Sequence, residues 1–549
     1  MTPFIRSLSR AALLSLLLAA FAGASPPAAQ TQDAPAKAAA MQHGSPDGGQ
    51  DERPSGGAGI LSLLPPDSAT HHTIQLGRNS LAYSAEAGTL PIRNAGGKTE
   101  AKLFYTAYTA DQQGKDQPGG EHPQRDRPIT FVFNGGPGAA SAYLNIGALG
   151  PRIVDHGTDG SIPPPPARLT DNPDTWLAFT DLVFVDPVGT GYSRAADPKN
   201  DKDFWSVNAD RETMAAFIRL YLAQKGRTTS PVFLTGESYG GFRAALLAKS
   251  LPDKSGVALS GVVMISPALD LSLLFGHQTA QILPSALALP SEAAVNFAAK
   301  GVSDRAEMQK RLQPVEDYAL GGYLTALAAG PEATRDRASA KVADVTGLPL
   351  DLVKRRFGAV SLSTFARMFD QAKGQLISRY DGTVAGPDID PGSPFSHGPD
   401  PVLDRMGAIW TSAFVNYVRN ELGFKTDITY RLLDGEISRR WDYGNSGSDQ
   451  GYADAMQDLQ EARAYNPALR ILIAQGYTDL VTPYLASRYL VGQLPPLAGA
   501  APIETEDYLG GHMLYLRPDS RHALMSDVRA LYEKATASSS DPGVPTSRP

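Results

Sequence analysis

At 549 residues the chain exceeds what one compact core needs, so one large domain with a sizeable insertion and unstructured ends is expected. Lys and Arg number 50 against 57 Asp and Glu, and the formal charge of −7 comes with no basic block, which argues against nucleic acid as a partner. Cysteine is absent, excluding disulfides, thiolate catalysis and cysteine-ligated metals.

Arg6 and Arg10 precede an apolar run from Ala11 to Ala22, and Ala22-Gly23-Ala24 supplies the small residues a signal peptidase needs, so residues 1–24 read as a signal peptide. The run is far short of the roughly 20 residues of a spanning helix, and no later apolar run approaches that length. The expectation is export, to a periplasm or the extracellular space, without stable membrane insertion. Residues 25–72 are rich in Ala, Pro and Gly and nearly lack bulky apolar side chains, so they read as a disordered linker, and residues 536–549 as a tail of the same kind. The ordered domain is expected over 73–535, opening with strand patterns at 73–76 and 101–106.

Ile129-Thr130-Phe131-Val132-Phe133 is a short apolar strand that stops at Asn134-Gly135-Gly136-Pro137-Gly138. Leu182-Val183-Phe184-Val185-Asp186 repeats the pattern and ends at Pro187-Val188-Gly189-Thr190-Gly191. Continuous apolar runs of this kind suit a parallel sheet buried on both faces, and helical spacing over 208–224 completes a β-loop-α alternation. Val232-Phe233-Leu234-Thr235 then leads into Gly236-Glu237-Ser238-Tyr239-Gly240, and Phe242 to Ala248 continues as a helix. Strand, G-x-S-x-G and helix in that order form a nucleophile elbow, in which glycines let the serine stand out at the carboxyl end of a sheet. The fold class expected is α/β, an α/β-hydrolase fold with a mostly parallel central sheet.

A serine hydroxyl needs a base to take its proton and a carboxylate to orient that base. Downstream, Leu469 to Ala474 is a strand followed by Gly476-Tyr477-Thr478-Asp479, which puts Asp479 at a strand's carboxyl end. Of nine histidines, His512 alone follows this strand in a glycine turn, Gly510-Gly511-His512-Met513; His522 falls in a helical pattern. Ser238, Asp479 and His512 are therefore the expected triad, in the chain order of this fold. Gly189-Thr190-Gly191 lacks the spacing of a nucleotide loop, no H-E-x-x-H or other metal spacing occurs, and neither metal nor cofactor is expected.

These motifs together resemble the serine carboxypeptidase family, as a bacterial-type secreted member: Asn134-Gly135-Gly136-Pro137-Gly138, Leu149-Gly150-Pro151, Asp186 to Ser193, Gly236 to Gly241, Gly476 with Asp479, and Gly511-His512-Met513. The resemblance implies release of C-terminal amino acids from peptides with a free C-terminus. It implies that the N–H groups of Gly136 and Tyr239 form the oxyanion hole, and that Asn134, Gly135 and Glu237 bind the substrate's terminal carboxylate. A glutamate beside a carboxylate repels it unless one of them holds a proton, so Glu237 should have a raised pKa. The chain departs from the family in three places: Ala139-Ala140-Ser141 for Cys-Ser-Ser, Ala148 for the glutamate that pairs with the counterpart of Glu237, and Leu514-Tyr515 for Val-Pro. An esterase or acyltransferase using the same triad is the alternative, and a noncatalytic binding protein the third reading.

Between about 270 and 444 the pattern turns helical, at 291–300, 304–324, 348–357 and 406–422, and carries no chemical motif. A largely helical cap is expected there, with Trp176, Trp205, Trp410 and Trp441 as packing or pocket-lining residues.

Overall fold

The apolar runs assemble into one twisted sheet in the computed structural model, which describes residues 59–111, 127–157, 159–275, 282–393, 398–444 and 453–537. Its main strands are β1 (Ser68–Leu76), β2 (Asn79–Arg93), β3 (Thr99–Ala110), β4 (Ile129–Phe133), β5 (Asp181–Val185), β6 (Val232–Glu237), β7 (Gly261–Ile265), β8 (Arg470–Gly476) and β9 (Ile503–Tyr508), with a two-residue strand, Arg194–Ala195, beside β3. The spatial order is β1-β2-β3-β5-β4-β6-β7-β8-β9. β1, β2 and β3 pair antiparallel, β3 meets β5 antiparallel, and all pairs from β5 to β9 are parallel. A mostly parallel sheet with β4 and β5 exchanged in order, and helices connecting the strands, is the α/β-hydrolase fold.

Alternation explains why the central strands read as unbroken apolar runs. Leu182 and Phe184 of β5 enter one core cluster and Val183 and Val185 the other, so both faces are covered. Helices α1 (Val207–Gln224) and α2 (Tyr239–Ser250) pack on the second face through Phe217, Ile218, Phe242 and Leu246. Each fully buried side chain of this size contributes about 1.5–3 kcal/mol of transfer free energy.

Between β7 and β8 the chain builds α3 (Ile282–Ala299), α4 (Arg305–Tyr318) and α5 (Pro331–Thr346), with shorter helices at Leu350–Arg355 and Leu362–Met368. These form a third cluster, including Leu287, Met308, Leu312, Val342 and Phe365, which rests on Tyr477, Leu480 and Tyr484 just after β8. α3 is long and apolar enough to cross a membrane, yet most of its length is buried inside this cluster. The later helix α6 (Leu403–Asn416) behaves differently: Met406, Trp410 and Phe414 belong to the first core cluster, so this part of the insertion is core rather than cap.

The signal segment 1–24 lies outside the described residues. Ordered structure starts earlier than residue 73: a 3-10 turn spans Ile60–Leu63, and β1 begins at Ser68, inside the stretch expected to be linker. The reason is pairing. All of β1 hydrogen-bonds along β2, and Leu64 and Ile74 are buried while its polar residues alternate outward. At the other end, the helix Pro518–Ala537 runs slightly past residue 535.

Candidate active site

Four strand ends deliver the residues singled out above to one edge of the sheet: β4 runs into Asn134, β6 into Ser238, β8 into the turn carrying Asp479, and β9 into the turn carrying His512. Carboxyl ends of parallel strands are where open α/β sheets place ligands.

Ser238 sits between β6 and α2 at φ 58 and ψ −123, a conformation that costs a non-glycine residue on the order of 1–3 kcal/mol. The bend is clamped rather than free: its N–H donates to Ile265 O at 2.9 Å, and its carbonyl accepts from Gly241 and Ala268. Crowding explains the glycine at 236, where a Cβ would lie 2.0 Å from Gly240 O. Likewise a Cβ on Gly135 would lie 2.6 Å from the Tyr239 nitrogen, so the glycine-rich loop after β4 presses directly on the elbow. Among the described residues, the N–H groups of Gly136 and Tyr239 meet no backbone acceptor, and that of Tyr239 opens helix α2, whose dipole favours negative charge at this end. Behind the loop, Asp186 Oδ1 accepts from both the N–H and the hydroxyl of Ser141, 2.8 Å each, and anchors it to the end of β5.

Asp479 is fully buried and saturated. Its Oδ1 accepts from the N–H groups of Val481 (2.7 Å) and Thr482 (2.9 Å), and its Oδ2 from Thr482 Oγ1 (2.7 Å) and His512 Nδ1 (2.8 Å). That last bond assigns the ring proton to Nδ1 and leaves Nε2 as the free base. Burial works to lower the His512 pKa, but the adjacent Asp479 carboxylate, by charge and hydrogen bond, outweighs it and holds the imidazole above its ordinary value. Two further bonds set the spacing of the turns, from Tyr477 N–H to Tyr508 O and from Thr478 N–H to Gly510 O, both 2.9 Å. Ser238 Oγ makes no hydrogen bond among the described residues, so the structure joins Asp479 to His512 and leaves the hydroxyl unattached.

Asn134 and Glu237 also meet: Asn134 Nδ2 donates to Glu237 Oε2 at 2.6 Å, and Asn134 Oδ1 accepts from Leu144 N–H at 2.9 Å. Glu237 is 3% exposed, and burial pushes its carboxyl up to about 7, against opposing effects of His512, Tyr515 and Asn134. Ala148 is buried and offers this carboxyl no second acid.

Four neighbours escaped the sequence reading. Thr482 bonds the Asp479 carboxylate; its signal was an Asp whose side chain caps the turn two and three residues on. Tyr515 donates to Glu237 Oε2 at 2.8 Å, from a position the sequence marked only as a departure. Tyr380 accepts the His512 N–H at 2.6 Å and lays its ring edge-on to the imidazole. Arg243 donates to Asn134 O at 2.8 Å. The last two are products of tertiary folding and left no local pattern. The tryptophans divide: Trp441 donates to the Tyr239 hydroxyl, Trp205 abuts Gly189 and Trp410 abuts Gly147, whereas Trp176 packs against Phe179 and Tyr532.

A cavity of about 310 Å³ opens where the cap meets the Asp479 turn, lined by Leu273, Leu287, Leu362, Val481, Pro483 and Arg379. Among the described residues, no group of three or more His, Asp or Glu side chains is placed to hold a metal ion.

Residues 79–281 match the family described as serine carboxypeptidase. Among curated proteins, the chain is similar to serine carboxypeptidase-like 50 of Arabidopsis thaliana, 31% identical over 166 residues, which are 29% of this chain and 32% of that protein. It is similar to a carboxypeptidase Y homolog of Arthroderma benhamiae, 30% identical over 27% of this chain and 28% of that one. The pheromone-processing carboxypeptidase KEX1 of Cryptococcus gattii is 31% identical over 203 residues, 35% of this chain and 26% of the relative. The chain therefore matches about a third or less of the length of each of these relatives.

Proposed function

We propose, for a chain that belongs to the serine carboxypeptidase family, that it is a serine hydrolase which removes single residues from the free C-terminus of peptides. The observation that carries this reading is the buried Asn134–Glu237 pair next to the nucleophile elbow: a carboxyl held near neutrality can meet a substrate carboxylate without repelling it.

In the reaction, Ser238 Oγ attacks the last peptide carbonyl as His512 Nε2 takes its proton, a contact that closes in the substrate complex. The oxyanion is met by the N–H groups of Gly136 and Tyr239. His512 returns the proton to the leaving amine, the C–N bond breaks, and the shortened peptide remains as an ester on Ser238. A water, deprotonated by His512, then hydrolyses that ester. Asp479 accepts the Nδ1 hydrogen bond of His512 and, held by three donors of its own turn, keeps the imidazole oriented with Nε2 free. The charged and apolar start of the sequence supports export from the cytoplasm, to a periplasm or the extracellular space.

The pH dependence has a definite sign. Catalysis needs neutral His512, whose pKa is raised, so activity rises with pH through that value. Binding a free terminal carboxylate needs protonated Glu237, so kcat/KM falls as pH passes about 7. Because the two groups shift each other, the limbs belong to the pair. Blocked dipeptides with free and amidated C-termini, assayed from about pH 4 to 9, should differ: the free acids should be cleaved, with a narrow bell-shaped profile. Equal cleavage of both forms, or turnover of esters alone, would move the protein to the esterase or acyltransferase class.

A further inference from the structure

Among the described residues, one oxygen of Glu237 has hydrogen-bond partners and the other has none. Oε2 accepts from Asn134 Nδ2 at 2.6 Å and from Tyr515 Oη at 2.8 Å, while Oε1 accepts from no described residue and is not sealed away from solvent. The Asn134 amide cannot turn over, because its oxygen is held by the Leu144 N–H. The Tyr515 phenol is fully buried, and burial together with the neighbouring carboxyl keeps its proton on, so it serves as a donor. Two donors on Oε2 occupy both of its lone pairs, and a proton carried by this carboxyl then belongs on Oε1.

We propose that Tyr515 is a positioning residue of the carboxylate subsite: with Asn134 it engages Glu237 Oε2, so that the acidic proton is presented from Oε1 to the terminal carboxylate of the peptide. The inference rests on the carboxypeptidase reading and extends it to a residue three positions after His512. The short 3-10 turn Leu514–Leu516 thus ties the catalytic base and the recognition of the terminus into one piece of chain. The other charged or titratable groups that bear on Glu237 are His512 and Asp479 from the strand-end turns, Tyr143 from the segment after β4, and Tyr380 from the insertion.

Tyr515→Phe keeps the ring and removes the donor. For a blocked dipeptide with a free C-terminus we expect KM to rise about tenfold with kcat within about twofold of wild type. The lost bond had favoured the ionised carboxyl, so the alkaline limb of kcat/KM should move up by about half a pH unit. Glu237→Gln is the second variant. Both donors would claim its side-chain oxygen and leave the amide N–H to face the substrate, so the KM of this variant, at whatever level it lies, should lose its alkaline rise. An unchanged KM in Tyr515→Phe, an equal fall in turnover of a simple ester, or a KM in Glu237→Gln that still climbs with pH would each overturn the proposal. If wild-type enzyme itself treats free and amidated peptides alike, the carboxypeptidase reading fails first, and that is seen before any variant is compared.

Discussion

Ser238→Ala should lower kcat/KM by about 10⁴-fold, assayed on a blocked dipeptide with a free C-terminus, and leave only the catalysis that the oxyanion donors and binding supply. The hydroxyl makes no hydrogen bond to any described residue, so its loss should leave stability within about 0.5 kcal/mol of wild type in urea unfolding. Alanine keeps the backbone problem: residue 238 sits at φ 58 and a Cβ there remains strained. Ser238→Gly should be equally inactive and more stable by about 1 kcal/mol, since glycine adopts this conformation freely. Activity retained in the alanine variant would put the nucleophile elsewhere and remove the basis for every role assigned around the elbow.

Asp210→Ala should destabilise the protein by about 3–5 kcal/mol, read from the urea midpoint. Arg243 is 1% and Asp210 4% exposed, their Nε and Oδ2 atoms are 2.6 Å apart, and the same guanidinium donates to Asn134 O. Removing the acid strands a cation in the core beneath the elbow helix. Removing both charges does not, so Asp210→Leu with Arg243→Met should recover most of the loss. The double variant would still lack the donor that holds the Asn134 carbonyl, and its KM for free-acid peptides should exceed that of wild type. A single-variant cost below about 1 kcal/mol would mean that water reaches the pair and that the support is not buried as described.

Features written in local chemistry were legible in the sequence. β4, β5 and β6 read as strands because burial on both faces makes them continuously apolar, and the elbow read as such because its glycines are required by contacts only 2.0–2.6 Å away. β9 passed unnoticed because an edge strand reads as polar: Ile503–Tyr508 contains three acids and most of it is half-buried. β2 escaped for a similar reason, its 15 residues alternating without a solid apolar run. α5 is a polar helix on the outside of the cap, and its pattern gave little to count. Within the site, Ser238, Asp479 and His512 were marked by motif and order, whereas Tyr380 and Arg243 enter through contacts between distant segments.

The attachment of the insertion to the His512 turn has a consequence for how such a protein can diversify. Tyr380 O accepts the His512 N–H, Arg379 O accepts the Leu480 N–H, and Thr478 donates its hydroxyl to Asp381 while its carbonyl accepts from Gly382. A Cβ on Gly511 would lie 2.0 Å from Tyr380 O, so the two backbones are already in contact. The base and its acid are thus braced from above by residues 379–382, and the insertion is a keystone rather than an exchangeable lid. Grafting another cap onto this sheet would take the brace away with it. Changes in substrate preference have room in the helices around the cavity, but this one rung has to pass unchanged through every such experiment, natural or designed.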